Sequence, residues 1–249
     1  MFAKKNYCFT LGLIGLGFSS MGFAGTMGDV ASSHYVATLS LGPVWTIPVK
    51  SQTYALEPQL TKTFTSTGHT NTLIDGELFL GVERNYCPKL DAQFGLAVGA
   101  TSSTKTSGEV WDDGNPTFNN YTYKFRAQHT YVSVKGKLLT DVGYRLKPYL
   151  SGSAGAGFNY VYGFSSGPTS SLAVPVPNFR SNTQTAFTYT VGAGVETAVY
   201  NNFRAGVGYE FADWGQGHLS RGVGQVGSSG PSFNHLFTNG LMFSLTYLG

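Results

Sequence analysis

The chain has 249 residues with 16 basic and 13 acidic side chains, a formal charge of only +3, which excludes the concentrated basic surface that nucleic-acid binding needs. Charged residues are 12 % of the composition, about half the usual share, while aromatics reach 14 % and glycines number 33, unlike an ordinary soluble domain. Two cysteines exclude a multi-disulfide scaffold.

Lys4 and Lys5 precede an apolar run, FTLGLIGLGF at 9–18, and SSMGFA follows with Gly22 and Ala24 at the −3 and −1 positions of a cleavage site. This layout predicts a secretory signal peptide over 1–24 and an exported domain over 25–249. The run is too short to cross a bilayer as a helix, and Gly12, Gly15 and Gly17 disfavour a buried one. Cleavage removes two lysines and no acid, leaving 14 basic against 13 acidic groups. It also leaves Cys87 alone, so no intrachain disulfide is expected. No later stretch approaches ~20 apolar residues, so no membrane helix is expected either.

Eight later segments alternate with period 2, the signature of strands with two unlike faces. Tyr35, Ala37, Leu39 and Leu41 oppose Val36, Thr38, Ser40 and Gly42. Ile74, Leu78, Leu80 and Val82 oppose Asp75, Glu77 and Glu83. Leu90, Phe94, Leu96 and Val98 oppose Asp91, Gln93 and Gly99. In the fourth segment, 121–138, Val132, Val134 and Leu138 oppose Ser133, Lys135 and Lys137. Tyr121, Tyr123 and Phe125 have the wrong parity for that apolar set, which predicts a one-residue bulge near Gln128 to Thr130. Leu150, Ala154 and Phe158 oppose Lys147, Tyr149 and Ser153, and Phe187, Tyr189 and Val191 oppose Thr188, Thr190 and Glu196. Phe203, Val207, Tyr209 and Phe211 oppose Arg204, Gly206 and Glu210. The last segment, GLMFSLTYLG at 240–249, sets Leu241, Phe243, Leu245 and Tyr247 against Met242, Ser244 and Thr246.

The connections alternate strictly, long at 47–72, 102–120, 165–182 and 213–234 and short at 85–89, 139–144 and 198–202, as antiparallel neighbours require. One face is apolar on all eight segments, and the other carries Gly, Ser, Thr and Asn with Glu77, Lys135, Glu196, Arg204 and Glu210. The second face is too polar to line a lipocalin-like cavity, and the first is too apolar to face water. Lipid outside and a polar lumen inside satisfy both, provided the sheet closes and leaves no edge. The fold expected is therefore all-β, an eight-stranded antiparallel up-and-down transmembrane β-barrel. Aromatics reinforce it: Trp45, Tyr160, Tyr162, Phe187, Tyr189, Tyr209, Phe211 and Trp214 lie at the long-loop ends, and Tyr35, Tyr144, Tyr200, Phe203 and Tyr247 at the short-turn ends.

The final segment resembles the C-terminal assembly signal of bacterial outer-membrane proteins in its spaced Gly240, Phe243, Leu245 and Tyr247, although it ends on Leu248 and Gly249 rather than an aromatic. The domain as a whole resembles the eight-stranded outer-membrane barrels, the group that includes the OmpA transmembrane domain. It is most similar to the glycine-rich gamma-proteobacterial branch that opens with a GTMG-like segment, here Gly25 to Gly28. The resemblance implies periplasmic termini and short turns, four extracellular loops, and the barrel-assembly machinery as partner during biogenesis. It also implies outer-membrane lipid and lipopolysaccharide around the barrel and a host or cell-surface ligand at the loops.

Inside an eight-stranded barrel there is little room beyond side chains, although the inward Gly and Ser positions are expected to leave space for water. Reflection across the short turns places Glu196 opposite Arg204, Glu83 opposite Asp91 and Lys137 opposite Lys147. The acidic and basic pairs would then meet across the lumen as a salt-bridged plug, with Glu77 and Glu210 further up.

Signals for chemistry are weak. GVGQVG at 222–227 spells a dinucleotide fingerprint without the strand–helix context that gives it meaning. DWGQGH offers Asp213 and His218, and Asp112–Asp113 lie in another loop, a faint likeness to the rim residues of omptin-type proteases. HTYVS spaces His129 and Ser133 by four rather than the two that a lipid A deacylase would need. Histidines 34, 69, 129, 218 and 235 are scattered, so neither a metal nor a cofactor is expected, and VPVPNF at 174–179 reads as an extended loop. The function expected is non-enzymatic: a structural or surface-interaction role, with a narrow pore as the alternative and a rim hydrolase as a weak third.

Overall fold

The computed structural model describes residues 33–47, 52–57, 60–66, 68–87, 89–171, 173, 176, 178–222 and 230–249. The expected signal peptide, the GTMG segment, most of GVGQVG and half of VPVPNF lie outside them. Thirteen strands follow in chain order: β1 (Ser33–Thr46), β2 (Gln52–Glu57), β3 (Leu60–Phe64), β4 (Thr72–Cys87), β5 (Leu90–Thr101), β6 (Thr104–Asp112), β7 (Asn119–Thr140), β8 (Leu146–Pro168), β9 (Asn182–Tyr200), β10 (Phe203–Asp213), β11 (Gly217–His218), β12 (Ser232–Phe233) and β13 (Phe237–Leu248).

Eight of them close a ring in the order β1, β4, β5, β7, β8, β9, β10, β13 and back to β1, every contact antiparallel. The closing seam pairs Ala37 with Tyr247, Leu39 with Leu245 and Leu41 with Phe243, so the last strand removes the edge of the first. Within the ring each backbone ladder is satisfied by a neighbour, which is the condition for standing in hydrocarbon. Outward side chains form the apolar band: Leu39, Leu80, Leu96, Val132, Leu150, Val191, Phe243 and Leu245 are all exposed. The protein is an eight-stranded antiparallel up-and-down transmembrane β-barrel.

The ring does not stop at the membrane. A spanning strand needs about 9–11 residues, yet β7 has 22 residues and β8 has 23. β5 pairs with the lower half of β7, from Thr130 to Thr140, and β6 takes over the upper half, from Asn119 to Ala127. β3 then pairs with β6, and β2 with β3, so the sheet continues sideways beyond the long-loop end. Segments that read as loops are thus strands of an extension. A bulge on β8 at Gly163, which adopts φ 67°, lets the β7–β8 ladder turn with it.

The bulge expected near Gln128 to Thr130 is absent. β7 alternates without interruption, burying Tyr121, Tyr123, Phe125, Ala127, His129, Tyr131, Ser133, Lys135, Lys137 and Leu139. The parity conflict arose because the inward face changes chemistry along the strand. In the membrane it is polar; in the extension it is aromatic. Trp214, expected in an interfacial girdle, belongs to that second environment and is only 1 % exposed.

Candidate functional site

The inward side chains form layers. At the short-turn mouth Arg204 grips Glu83 with both terminal nitrogens, at 2.7 and 2.9 Å, and Gln93 donates to the same carboxylate. Lys147 and Asn85 donate to Asp91, each at 2.9 Å. One layer up, Lys137 meets Glu196 at 2.6 Å and lies over the Tyr149 ring. Above it Lys135 bridges Glu77 and Glu210, at 2.6 and 3.2 Å, while the Tyr131 hydroxyl donates to Glu77. Charges that share so little water interact strongly and are costly to leave alone.

All nine candidate lumen residues (Glu77, Glu83, Asp91, Lys135, Lys137, Lys147, Glu196, Arg204 and Glu210) face inward, but the partners differ from the reflected ones. Glu83 stands opposite Gln93, Lys137 opposite Ser151, and Glu196 opposite Gly206. The turns pivot one or two residues later than assumed, and the ion pairs instead cross between strands far apart in sequence. Arg204 and Glu83, on β10 and β4, are such a pair.

Nor do the glycines leave the lumen empty. A Cβ on Gly99 would overlap the Tyr131 ring, and one on Gly194 or Gly208 would overlap Tyr149. The small residues make room for large rings from neighbouring strands. A cavity of about 30 Å³ among Glu77, Lys135, Lys137, Tyr149 and Glu210 remains, the room of roughly one water. At the short-turn mouth the space widens to about 380 Å³ beside Glu83, Asp91, Lys147 and Arg204.

Above the charges the barrel is capped. Trp214 lies 4.4 Å from the His129 ring and 5.0 Å from Tyr131, and its indole N–H donates to Thr238. His129 Nδ1 is 2.7 Å from the Asn159 carbonyl, and the Asn159 amide donates to the backbone oxygens of Trp214 and Gln216. Those bonds fold the chain after β10 across the opening. Beyond it Phe64, Tyr123, Phe125, Phe164 and Phe179 pack as an aromatic core. Lys62 is fully buried there, held by Asp112 at 2.7 Å, and Asn120 completes that carboxylate. Tyr149 and Asn159 lie on the polar face expected of their segment, whereas sequence reasoning missed the buried Lys62 and His129; for His129 the unbroken parity of β7 was the available signal.

The hydrolase candidates are not assembled. Asp213 holds His235 at 2.8 Å and the Gly215 amide, whereas His218 meets Asn182 at 3.2 Å. Asp112 is tied to Lys62, and Asp113 sits in an exposed turn. Among the described residues no group of three metal-ligating side chains occurs. Gly240, Phe243, Leu245 and Tyr247 all lie on β13, where Gly240 packs against the backbone of Pro43 and Val44.

No protein-family model and no curated protein sequence matches the chain. Solved structures do. Neisserial surface protein A is 13 % identical with a TM-score of 0.42, covering 87 % of this chain and 98 % of its own. OprG from Pseudomonas aeruginosa is 9 % identical with a TM-score of 0.46, covering 87 % and 98 %. The outer membrane protease OmpT from Escherichia coli is 9 % identical with a TM-score of 0.44, covering 89 % and 99 %. The architecture here rests on the strand register and the two faces rather than on these superpositions.

Proposed function

We propose that this protein is a non-conducting outer-membrane barrel that carries a rigid platform for contacts at the cell surface. The observation that carries the reading is the continuation of β7 and β8 past membrane length, joined there by β6, into a sheet with its own aromatic core. A pore has no use for a packed extension, whereas a surface that recognises other molecules needs one held rigid. The ionic layers and the Trp214 cap support closure, since paired side chains fill the charged waist around a cavity of only about 30 Å³ and the indole lies across the opening above it. The long-loop end, in this reading, is extracellular, and the domain begins after a cleaved leader at residue 24.

Two measurements test this. Protein refolded into a planar bilayer, with folding confirmed by a heat-dependent gel shift, should pass no discrete current steps; reproducible steps would favour the narrow pore. A Thr117→Cys label site at the exposed tip between β6 and β7, in a Cys87→Ser background, should react on intact cells with a membrane-impermeant maleimide. Reaction only after permeabilisation would reverse the orientation and remove the surface role.

A further inference from the structure

A notch of about 110 Å³ lies where the extension leaves the barrel. β3 covers β6 only from Val110 to Asp112, and below that the notch opens between Thr104 and Lys105 on one side and Thr46 and Asn71 on the other. Its walls are held in place. The Thr46 amide donates to the Asn71 carbonyl, and the Asn71 amide to the Thr46 hydroxyl, both at 3.0 Å. The Asn71 side chain then donates to the Lys105 carbonyl at 2.9 Å, which ties barrel to extension at this point.

The lining changes character with depth. Lys105 and His69 are exposed at the opening. Thr104, Thr106 and Asn71 stand along the walls. Ala127, Phe233 and Leu236 are buried at the bottom, where they belong to the aromatic core. No carboxylate stands among the described residues that line it.

That gradient selects an occupant. A cation at the opening with no acid beside it favours an anion. The apolar floor disfavours a group that is polar on every side, because a buried oxygen without a donor is costly. Phosphate is such a group; a carboxylate with a short alkyl end is not. Size agrees, since an apolar cavity of roughly 150 Å³ holds benzene, and this one takes about four or five heavy atoms. Acetate and propionate have that size.

We infer that the notch binds the carboxylate of a short aliphatic acid, with its charge at Lys105 and His69 and its alkyl end on Phe233 and Leu236. Neither the closed lumen nor a surface platform requires such a site. Its lining comes from the barrel strand β1 and from β6 of the extension, so an occupant clamps the two together. The inference holds whichever side of the membrane the long-loop end faces.

Amide chemical-shift titration of the refolded, isotope-labelled mature protein with formate, acetate and propionate tests it. Asn71, Thr104 and Lys105 should shift saturably, and each added carbon should tighten binding about threefold to fourfold. Pivalate, with a branched end too wide for the notch, and inorganic phosphate should both bind more weakly than propionate. Lys105→Thr should weaken propionate binding by about twofold to fivefold, while Lys89→Thr near the short turns should leave it unchanged. If Lys105→Thr fails the gel-shift test of folding, the ligand series on the wild type still decides. Propionate at about ten times its dissociation constant should slow protease cleavage of the β2–β3 segment about tenfold, because the ligand must leave before the notch opens. Equal affinity for all three carboxylates, or phosphate bound as tightly as propionate, would overturn the assignment in favour of charge pairing at the surface. Shifts that never saturate would overturn it outright, and cleavage unchanged by saturating propionate would overturn the clamp.

Discussion

The lower barrel and the extension are built from the same strands with opposite chemistry. In the membrane, β7 turns Ser133, Lys135 and Lys137 inward and Val132, Val134 and Leu138 outward. Twelve residues further up it turns Tyr121, Tyr123 and Phe125 inward, with Thr122, Lys124 and Arg126 outward beside them. Backbone geometry is unchanged and the alternation never slips. What changes is the solvent. Where lipid surrounds the sheet, apolar groups face out and the interior must satisfy charges with charges. Where water surrounds it, apolar groups face in and the interior packs as an ordinary core.

The comparison can be broken most severely in the charged half. Lys135→Met leaves Glu77 and Glu210 facing each other without their shared cation. It should cost about 3–5 kcal/mol, seen as a lower temperature for the heat-dependent gel shift. Replacing all three, Lys135→Met with Glu77→Gln and Glu210→Gln, should restore most of the loss, because no charge is then stranded. If the single variant melts like the wild type, these charges are hydrated and the layer does not hold the barrel.

In the aromatic half the matching change is Phe64→Ala, a buried ring that meets Tyr123 and Phe179 edge-on. Its loss should cost about 3–5 kcal/mol of local stability, but the damage should stay above the membrane. The β2–β3 segment should become sensitive to protease while the gel shift persists. Loss of the gel shift as well would mean that extension and barrel fold as one unit.

Gly208→Val sharpens the account of how the lumen is filled. A side chain there collides with Tyr149, so about 1–3 kcal/mol should be lost. In a Tyr149→Ala background the same valine should be accepted at much smaller cost. Equal costs in both backgrounds, measured by urea unfolding, would show that the ring is not what the glycine accommodates.

The barrel was legible in the sequence because period-2 alternation is a local signal and each strand carries its own copy. Closure by Phe243 and Leu245 against Leu41 and Leu39 followed from the need to remove an edge. The extension was not legible in the same way. β3 and β6 are short and rich in Thr, Ser and Lys, so they resemble loop, and the inward aromatics of β7 looked like a register fault. The lumen residues could be named because inward charges are few. Asp91 does meet Lys147, an acid of one expected pair with a base of the other, but the remaining partners could not be named, since a one-residue error in a turn moves every reflected pair, and Arg204 finds Glu83 only through closure of the whole ring.

Depth within the charged half supplies the finest contrast. Lys137 and Lys147 each bind one carboxylate, but their side chains are 9 % and 28 % exposed. Glu196, the partner of Lys137, has no exposed side-chain surface, so Lys137→Gln strands a charge that water cannot reach. Asp91, the partner of Lys147, keeps its bond from Asn85 and borders the wide mouth. Lys147→Gln should therefore cost less than about 1 kcal/mol, and raised salt should erase the difference. Lys137→Gln should cost more, with little dependence on salt. Equal, salt-sensitive losses at both positions would mean that water reaches the Lys137 layer, and the closed-lumen reading would then fail at the layer on which it depends.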